Sequence, residues 1–331
     1  MFDRINDAMY WDKGLRLVEG CNKVSEGCDH CWAMEQTHMR KHQKNKLIRE
    51  QYPFDCTSKD GEWTGNIYTL HQNIDIPRSI KKPTVFSVWN DLFHEKVPDE
   101  YINWVFTMMK ECPQHIFLVL TKRPENALKW FNSFGWIDIK KGYDQWMPKN
   151  MWLGVTVENQ KEAEKRIPIL LQIPAAKRFV SIEPMLGSVH LSDLYIGVDH
   201  ELSFIPQDHD HIDALRSGID WVICGGETGS KARTCKLDWV RSVQYDCLVA
   251  ETTFYFKQWG QWLPWEINPD LKSIKSQSGK IHKLKEYTKK AISKKLGKNW
   301  KVLDYYLVQR VSRKVAGRKL DGKEYNGIPA I

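Results

Sequence analysis

The chain has 331 residues, of which 42% are hydrophobic, and it carries a formal net charge of +8. This composition excludes a disordered chain, and the length allows a substantial core in one large domain or two smaller ones. The sequence has no run of roughly 18 or more apolar residues and begins without the layout of a secretory signal. We therefore expect a cytoplasmic protein without membrane contact.

Seven segments rich in β-branched and aromatic residues are predicted to form strands. They lie at 15–19, 83–91, 115–123, 151–159, 177–184, 220–227 and 252–260. The six longer segments are apolar almost throughout, which is typical of strands that are buried on both faces. Amphipathic patterns between them predict helices at 99–112, 159–172 and 237–251. Strands that alternate with helices indicate βαβ units and a parallel sheet.

Polar residues stand where each of the six longer strands should end. They are Asn90, Asp91, Lys122, Arg123, Glu158, Asn159, Glu183, Glu227 and Lys257. In β/α barrels the carboxyl ends of the strands share one edge, and catalytic groups collect there. The pattern therefore predicts an α/β fold, a partial (open) β/α barrel over residues 1–265, with insertions at about 40–82 and 189–219. The alternative is that each polar residue merely begins a loop.

Basic residues are concentrated near the C-terminus. Residues 271–320 contain 16 lysines and arginines against two acidic residues, whereas the rest of the chain contains 33 against 39. We expect residues 266–331 to form a basic, mainly helical extension packed on the barrel, with an amphipathic helix or helix pair at 291–312. Such a region predicts a polyanionic partner, most simply nucleic acid, but a solvated helix face has the same pattern.

Three of the eight cysteines, Cys21, Cys28 and Cys31, are clustered. In a reducing compartment, clustered cysteines indicate a metal or redox site more often than disulfides. Thiolates favour zinc or iron–sulfur clusters. A closed zinc site needs a fourth ligand, for which His38 and Cys56 are candidates. Three cysteines on a barrel rim without an obvious fourth ligand fit better a 4Fe–4S cluster with one open iron, which can bind S-adenosylmethionine (SAM).

Eight motifs together resemble an uncharacterised, phage-associated family with a three-cysteine motif, which is classed near the radical SAM enzymes. They are CNKVSEGCDHCWA at 21–33, DLFHE at 91–95, LTKRPE at 120–125, WLGVTVENQ at 152–160, RFVSIEPMLG at 178–187, DWVICGGETG at 220–229, FYFKQWGQW at 254–262 and VAGRKLDG at 315–322. The cysteine spacing, Cys-x6-Cys-x2-Cys, departs from the x3 first gap of the most familiar radical SAM enzymes.

The resemblance to radical SAM proteins implies an open barrel with SAM across the strand ends. It implies that Cys21, Cys28 and Cys31 hold a 4Fe–4S cluster and that His30 lies near the adenine. It also implies that the end of an early strand contacts the amino group of SAM, for which the candidates are Trp89, Asn90 and Asp91.

Further roles follow from charge. The carboxylate of SAM needs a cation, and Lys122 or Arg123 is suited to this. The ribose hydroxyls need a carboxylate or an amide, and other carboxylates would serve as proton carriers or anchors for substrate. The candidates are Glu158 and Asn159 for the ribose, Glu183 and Glu227 as catalytic carboxylates, and Arg233 for an anionic substrate. The alternative for each carboxylate is a salt bridge on the rim.

The sequence thus predicts a radical SAM enzyme that makes a 5′-deoxyadenosyl radical and modifies or repairs a nucleic-acid base or nucleotide, as in phage DNA modification. Trp259 and Trp262 are candidates for stacking a base. This function implies a reducing electron donor of the flavodoxin or ferredoxin kind, and the host cytoplasm if the chain is phage-encoded. Two alternatives stay open: a non-enzymatic, zinc-stabilised nucleic-acid-binding protein, and a radical SAM enzyme that acts on a peptide or small metabolite.

Overall fold

A computed structural model describes residues 9–50, 52, 55–133, 147–196, 210–268, 273–276, 281–283, 300–303 and 306–330. Between residues 266 and 306 it describes only the backbone and the side chain of Lys301. None of the helices in this described part of the chain is long and apolar enough to cross a membrane.

The strands are, in chain order, β1 (Lys13–Arg16), β2 (Val18–Glu19), β3 (Tyr68–Thr69), β4 (Val85–Trp89), β5 (Ile116–Thr121), β6 (Met151–Thr156), β7 (Lys177–Ile182), β8 (Leu194–Tyr195), β9 (His211–Ile212), β10 (Trp221–Gly225), β11 (Thr253–Gln258), β12 (Trp262–Asn268), β13 (Ser273–Ser276), β14 (Ile281–Lys283), β15 (Trp300–Leu303), β16 (Tyr306–Arg310), β17 (Lys319–Leu320) and β18 (Lys323–Glu324). The helices are α1 (Trp32–Lys41), α2 (Lys46–Glu50), α3 (Asp99–Glu111), α4 (Pro124–Ser133), α5 (Gln160–Gln172) and α6 (Leu237–Val249), followed by a short helix at Arg313–Ala316.

The main sheet has seven parallel strands in the order β1-β4-β5-β6-β7-β10-β11. Each strand of this sheet lies beside the one that precedes it along the chain, and the sheet curls into a half-barrel. Because all the strands run the same way, their carboxyl ends meet at one edge. The structure confirms the prediction of an open α/β half-barrel, and the predicted helices correspond to α3, α5 and α6.

The two faces of the main sheet bury different side chains. The outer face packs against α3 to α6 and forms the larger core, to which Phe117, Val119 and Leu153 belong. The concave face carries a smaller and more aromatic cluster around Trp221. The ring centroids of its aromatic neighbours lie 5.4 to 6.2 Å from that of Trp221, and these neighbours are Tyr10, Trp152, Phe179 and Tyr255. This aromatic cluster fills the half-barrel below its carboxyl edge.

The basic C-terminal region is a β-structure in its described part. Strands β12 to β16 form an antiparallel sheet in the order β14-β13-β12-β16-β15. The prediction of a mainly helical extension is therefore wrong at β15 and β16, although residues 291–299 of the predicted helix lie outside the described residues. These strands are stabilised by pairing with each other and with β12, for example Trp265 with Leu307. Pairing across so many residues overrides a local helical pattern.

The end of the chain packs along β11, which is the last strand of the main sheet. Tyr255 forms a bridge with Asn326, and the indole N–H of Trp221 donates to the carbonyl oxygen of Gly327 at 2.8 Å. This packing shields an edge that would otherwise expose unpaired backbone groups. In the first predicted insertion, β3 pairs with β2. In the second, β8 and β9 form a two-stranded sheet, and residues 197–209 lie outside the described residues.

Trp221→Ala is expected to lower the free energy of unfolding by about 3–5 kcal/mol, because it leaves a cavity where a side chain with 0% exposure now packs. Tyr245→Ala, on the exposed face of α6, should change it by less than about 0.5 kcal/mol. Urea denaturation of both variants tests this, and equal effects would contradict the role of Trp221 in the core.

Candidate functional site

Residues 20–31, here called the cysteine loop, connect β2 to α1. The loop starts at Gly20, which has a φ of +95° and leaves no room for a side chain beside the carbonyl oxygen of Asn66. A short 3₁₀ turn covers Glu26–Cys28, and Cys31 directly precedes α1 as its N-cap residue. All three clustered cysteines therefore lie on or beside irregular backbone, which needs partners from elsewhere in the fold to stay in place.

The first part of the cysteine loop is held by Arg123, which follows β5. Its guanidinium donates to Asp91 Oδ2 and Glu95 Oε2, each at 3.0 Å, and to the side-chain oxygen of Asn22. One of its terminal nitrogens lies 3.8 Å from Cys21 Sγ. The guanidinium is thus buried and fully engaged in binding the loop to the ends of β4 and β5.

Asn90 and Asp91 fix the end of β4. Asn90 has a φ of 62°, which asparagine tolerates better than most residues, and its side-chain amide donates to the carbonyl oxygen of Val18 at 2.7 Å. The Asp91 carboxylate accepts hydrogen bonds from Thr121 Oγ1 at 2.7 Å and from the backbone N–H of Lys122 at 3.0 Å. Asn90 therefore joins the end of β4 to β2, and Asp91 joins it to the carboxyl end of β5.

Lys122 places a second cation on the cysteine loop, with its Nζ 3.6 Å from Cys28 Sγ. Burial raises the pKa of the Cys28 thiol, but Lys122 and backbone hydrogen bonds outweigh burial and lower it. Burial and the nearby Asp91 instead raise the pKa of the Cys21 thiol to about 12, against the opposing effect of Arg123. Of these two cysteines, Cys28 is the one whose surroundings favour the thiolate.

Glu158 and Asn159, which follow β6, hold the middle of the cysteine loop. The backbone N–H of Gly27 donates to Glu158 Oε1 at 3.2 Å, and Arg166 of α5 donates to Glu158 Oε2 at 3.0 Å. The side-chain amide of Asn159 donates to Glu26 Oε1 at 2.6 Å. Both predicted ribose ligands are thus in contact with the cysteine loop.

Glu227, which follows β10, holds the last part of the loop together with Arg233. Two nitrogens of the Arg233 guanidinium lie 2.9 and 2.6 Å from the Glu227 carboxylate oxygens, and Arg233 also donates to the carbonyl oxygen of Glu26 at 3.0 Å. His30 Nδ1 lies 3.2 Å from Glu227 Oε2. The pair is therefore a salt bridge on the rim that also positions His30.

Glu183 has different partners. It follows β7, and its Oε1 lies 2.9 Å from the Nζ of Lys257. Its Oε2 accepts hydrogen bonds from Tyr10 Oη at 3.0 Å and from Ser181 Oγ at 3.1 Å. Burial, followed by the charge of Glu183, raises the pKa of Tyr10 well above its ordinary value. Because Tyr10 belongs to the aromatic cluster of the concave face, Glu183 and Lys257 lie at the inner side of the rim.

Trp89 forms an aromatic wall at the opposite side of the sheet. Its ring packs against Gly14, where any side chain would overlap it, and makes edge-to-face contacts with Trp11 and Trp32 at 6.1 and 5.2 Å. The guanidinium of Arg40 lies 5.7 Å from its ring centroid. Trp32 follows Cys31 directly and is 48% exposed, so an aromatic surface adjoins the cysteine loop.

The structure brings all the predicted strand-end residues to one rim, where most of them hold the cysteine loop directly or through a neighbour, whereas Glu183 and Lys257 pair with each other at the inner side. Several residues that complete this arrangement do not stand at a predicted strand end, namely Tyr10, Asn22, Glu95 and Arg166. Arg166 offered a signal, because it is a charged residue in the buried stripe of α5. The other three carry no comparable signal in the sequence.

The prediction that Trp259 and Trp262 stack a base is wrong. Both side chains are buried, and their indole N–H groups donate to the carbonyl oxygens of Lys319 and Ala232 at 2.9 and 2.7 Å. The hydrogen bond of Trp259 joins the end of β11 to Lys319, and that of Trp262 joins the start of β12 to Ala232. Because both rings are buried, neither offers a free face to a ligand.

The chemistry of the cysteine loop fits a thiolate-bound metal or cluster, because two of its three sulfurs face cations that compensate negative charge. As placed in the described part of the chain, no three His, Cys, Asp or Glu side chains converge on a metal position. Of the candidate fourth ligands, Cys56 lies beside Gly20, whose added Cβ would be 3.2 Å from Cys56 Sγ. His38 Nδ1 lies 3.4 Å from Thr57 Oγ1, in the first insertion.

Glu227→Gln is expected to lower the free energy of unfolding by about 1–2 kcal/mol at pH 7. The effect is smaller than for a fully buried ion pair, because Arg233 is partly exposed and solvent screens its charge. Burial alone raises the pKa of Glu227, but the hydrogen bonds from Arg233 outweigh it and lower the pKa from 4.5. As the pH falls, Glu227 therefore takes up its proton in the unfolded protein before it does so in the folded protein. The contribution of the pair to the free energy of unfolding is lost as the pH falls below 4.5. Urea denaturation should show the gap between variant and wild type shrinking in acid, and a constant gap would contradict this.

Searches for relatives return no curated protein and no solved structure that matches the chain. One family model does match, over residues 7–329, which include the cysteine loop and every strand of the half-barrel. Its description is "Protein of unknown function (DUF5131)", and the chain belongs to this family.

Proposed function

We propose that this protein is a radical SAM enzyme whose cysteine loop binds a 4Fe–4S cluster through Cys21, Cys28 and Cys31. The observation that carries this proposal is the attachment of a three-cysteine loop to the carboxyl edge of a parallel half-barrel. Ligands of parallel β/α folds bind at that edge. The motifs that resemble radical SAM-like proteins support the same function.

When bound, such a cluster supplies the reductive cleavage of SAM to a 5′-deoxyadenosyl radical. The protein's part is to bind and orient the cofactors. Because Arg123 is engaged by Asp91, Glu95 and Asn22, we assign Lys122 to the carboxylate of SAM. His30 has a ring surface on the rim and is assigned to the adenine of SAM. Trp89, also on the rim, is assigned to the end of SAM that carries the amino group. Asn90 and Asp91 instead position the strand ends.

Of the two predicted catalytic carboxylates, Glu183 is the better candidate for contact with substrate. Glu227 is saturated by Arg233 and His30, and both of these contact the cysteine loop or lie in it. Glu183 instead faces Lys257 and Tyr10 on the concave side. A carboxylate beside a lysine and a tyrosine can accept or donate a proton to a bound substrate.

The proposed substrate is a nucleic-acid base or nucleotide, and a reducing electron donor of the flavodoxin or ferredoxin kind is required. The support is the excess of lysine and arginine over residues 271–320, which suits a phosphate backbone. Trp32, exposed beside Cys31, offers a ring face on which a base can stack.

A second candidate function is a zinc-stabilised nucleic-acid-binding protein. It is favoured by the position of Cys56 beside Gly20, next to the first cysteine of the loop. However, Cys56 lies among Glu19, Lys41 and Asp55, whereas the charged neighbours of Cys21 are Asp91 and Arg123. These different surroundings make Cys56 a useful control rather than the better-supported ligand.

Anaerobic reconstitution tests the proposed cluster. The wild-type protein should become brown, bind about four irons, and release 5′-deoxyadenosine from SAM when reduced. Cys21→Ser, Cys28→Ser and Cys31→Ser should each lose most of the iron and all of this cleavage. Iron and zinc content by elemental analysis, and 5′-deoxyadenosine by chromatography, are the measurements.

Cys56→Ser is the matched control, because it removes a buried thiol near the same loop. The radical SAM proposal predicts that this variant keeps about four irons and cleaves SAM. A colourless wild-type protein with one zinc, lost in Cys56→Ser, would instead establish the zinc-binding function.

Charge removal in the C-terminal region tests nucleic-acid binding. Replacing Lys275, Lys283, Lys301 and Lys314 by Gln should weaken single-stranded DNA binding and reduce the slope of log K against log salt by as much as about 3. Fluorescence anisotropy over a salt series measures this. The control replaces four exposed lysines elsewhere, Lys59, Lys81, Lys82 and Lys161, and should retain the wild-type slope. Equal slopes for all three proteins would refute a role for the basic region.

A further inference from the structure

We infer that Glu158 and Arg166 are positioning residues, whose buried ion pair fixes the cysteine loop at Gly27 and so places Cys28 before any metal is bound. The inference rests on the proposed function only in taking Cys28 as a metal ligand. It assigns to Glu158 a different role from contact with the ribose of SAM, and it gives a role to Arg166, which no motif indicates.

The ion pair is shielded from solvent. The relative exposure of Glu158 is 0% and that of Arg166 is 1%. One guanidinium nitrogen donates to Glu158 Oε2 at 3.0 Å and to the carbonyl oxygen of Thr156 at 2.7 Å, while another lies 2.5 Å from Glu162 Oε2. A carboxylate in this position has no surface left for a ribose hydroxyl. Its environment is that of a buried structural charge.

The other carboxylate oxygen of Glu158 connects the pair to the cysteine loop. Oε1 accepts the backbone N–H of Gly27, the residue before Cys28. A Cβ at Gly27 would lie 3.0 Å from the carboxyl carbon, a tight contact that the loop or the carboxylate could relieve only by moving a few tenths of an ångström. Next to this contact, Asn159 donates to Glu26 and also caps α5 by accepting the N–H of Glu162. The loop is thus fastened to the beginning of a helix.

Stability alone does not require this arrangement. A buried ion pair gains little over well-packed apolar residues, because desolvation of both charges offsets their attraction. A buried polar network does, however, specify one arrangement of the groups that it joins. In this network both carboxylate oxygens of Glu158 accept hydrogen bonds, whereas the Nε of Arg166 is buried without a partner among the described residues. Here the joined groups are β6, α5 and the cysteine loop. A loop that is already held in place loses less conformational entropy when a metal binds.

The consequence of this attachment is visible at Cys28. Its side chain is 8% exposed and its sulfur faces Lys122. If the Gly27 contact is lost, the 3₁₀ turn at Glu26–Cys28 keeps the bond from Asn159 to Glu26 but loses its buried attachment to Glu158, and Cys28 should open to solvent while the half-barrel stays folded.

Thiol alkylation of the reduced, metal-free protein tests this inference. Wild type, Glu158→Ala and Gly27→Ala are treated with iodoacetamide in native buffer, and each cysteine is followed by mass spectrometry. Cys28 should react about tenfold faster in both variants, because a local opening exposes it. Gly27→Ala is informative because its added methyl group crowds the contact between the loop and Glu158 while both charges of the ion pair are kept.

The buried cysteines Cys224 and Cys235 report unfolding of the core in the same experiment, because both have 0% exposure. They should react at wild-type rates in the two variants. Asp220→Asn is the matched control, since it removes an ion pair with Lys177 at the amino end of the sheet and should leave Cys28 unchanged. If Cys28 keeps its wild-type rate in both variants, or if Cys224 and Cys235 accelerate together with it, the positioning role is refuted.

A neutral double variant, Glu158→Gln with Arg166→Met, separates the acceptor for Gly27 from the ion pair that holds it. The Gln carbonyl can still accept the Gly27 N–H but is no longer held by Arg166, so Cys28 should react faster than in the wild type and more slowly than in Glu158→Ala. Because no step of this experiment uses iron or SAM, its outcome is independent of the cluster. Failure of reconstitution with normal protection of Cys28 would overturn the proposed function but not the positioning role.

Discussion

The site depends on one constraint: an irregular loop must be held against the carboxyl edge of a parallel sheet without a strand partner. Backbone amides in such a loop have no ladder to join, so side chains must satisfy and orient them. Here three successive strands of the half-barrel, β4 to β6, and also β10 supply those side chains from their carboxyl ends. Arg123 and Glu158 are both buried, and each reaches the residue beside a cysteine. The position of the cysteines is therefore a property of the whole sheet.

This use of the rim divides the polar groups into two sets. Arg123, Glu158 and Glu227, which hold the cysteine loop, are neutralised by partners at the rim and have little capacity left for a ligand. Glu183 and Lys257 lie instead above the aromatic cluster of the concave face, and their partners are Tyr10 and Ser181. A rim built in this way holds the cysteine loop in place, while Glu183 and Lys257 take no part in holding the loop.

The strands of the half-barrel could be predicted from the sequence because parallel strands buried on both faces need continuous apolar runs. The predicted helices at 99–112, 159–172 and 237–251 also correspond to helices, since each has an apolar stripe that packs on the outer face. The C-terminal region could not be predicted in the same way. The apolar residues of β16 fit a helical stripe as well as a strand, and only pairing with the distant β12 decides between them.

For the site, sequence could predict which residues reach the rim but not what they contact there. The carboxyl end of each strand fixes the location of Glu158, Glu183 and Glu227 alike, and their side chains have the same chemistry. Their environments differ because one meets a buried arginine from the following helix, one meets a lysine across the concave face, and one meets an arginine from the next loop. These partners are set by tertiary packing, and so the roles of chemically equivalent carboxylates diverge. A strand-end carboxylate in such a fold is as well suited to hold a metal-binding loop as to bind a cofactor, and burial distinguishes the two roles.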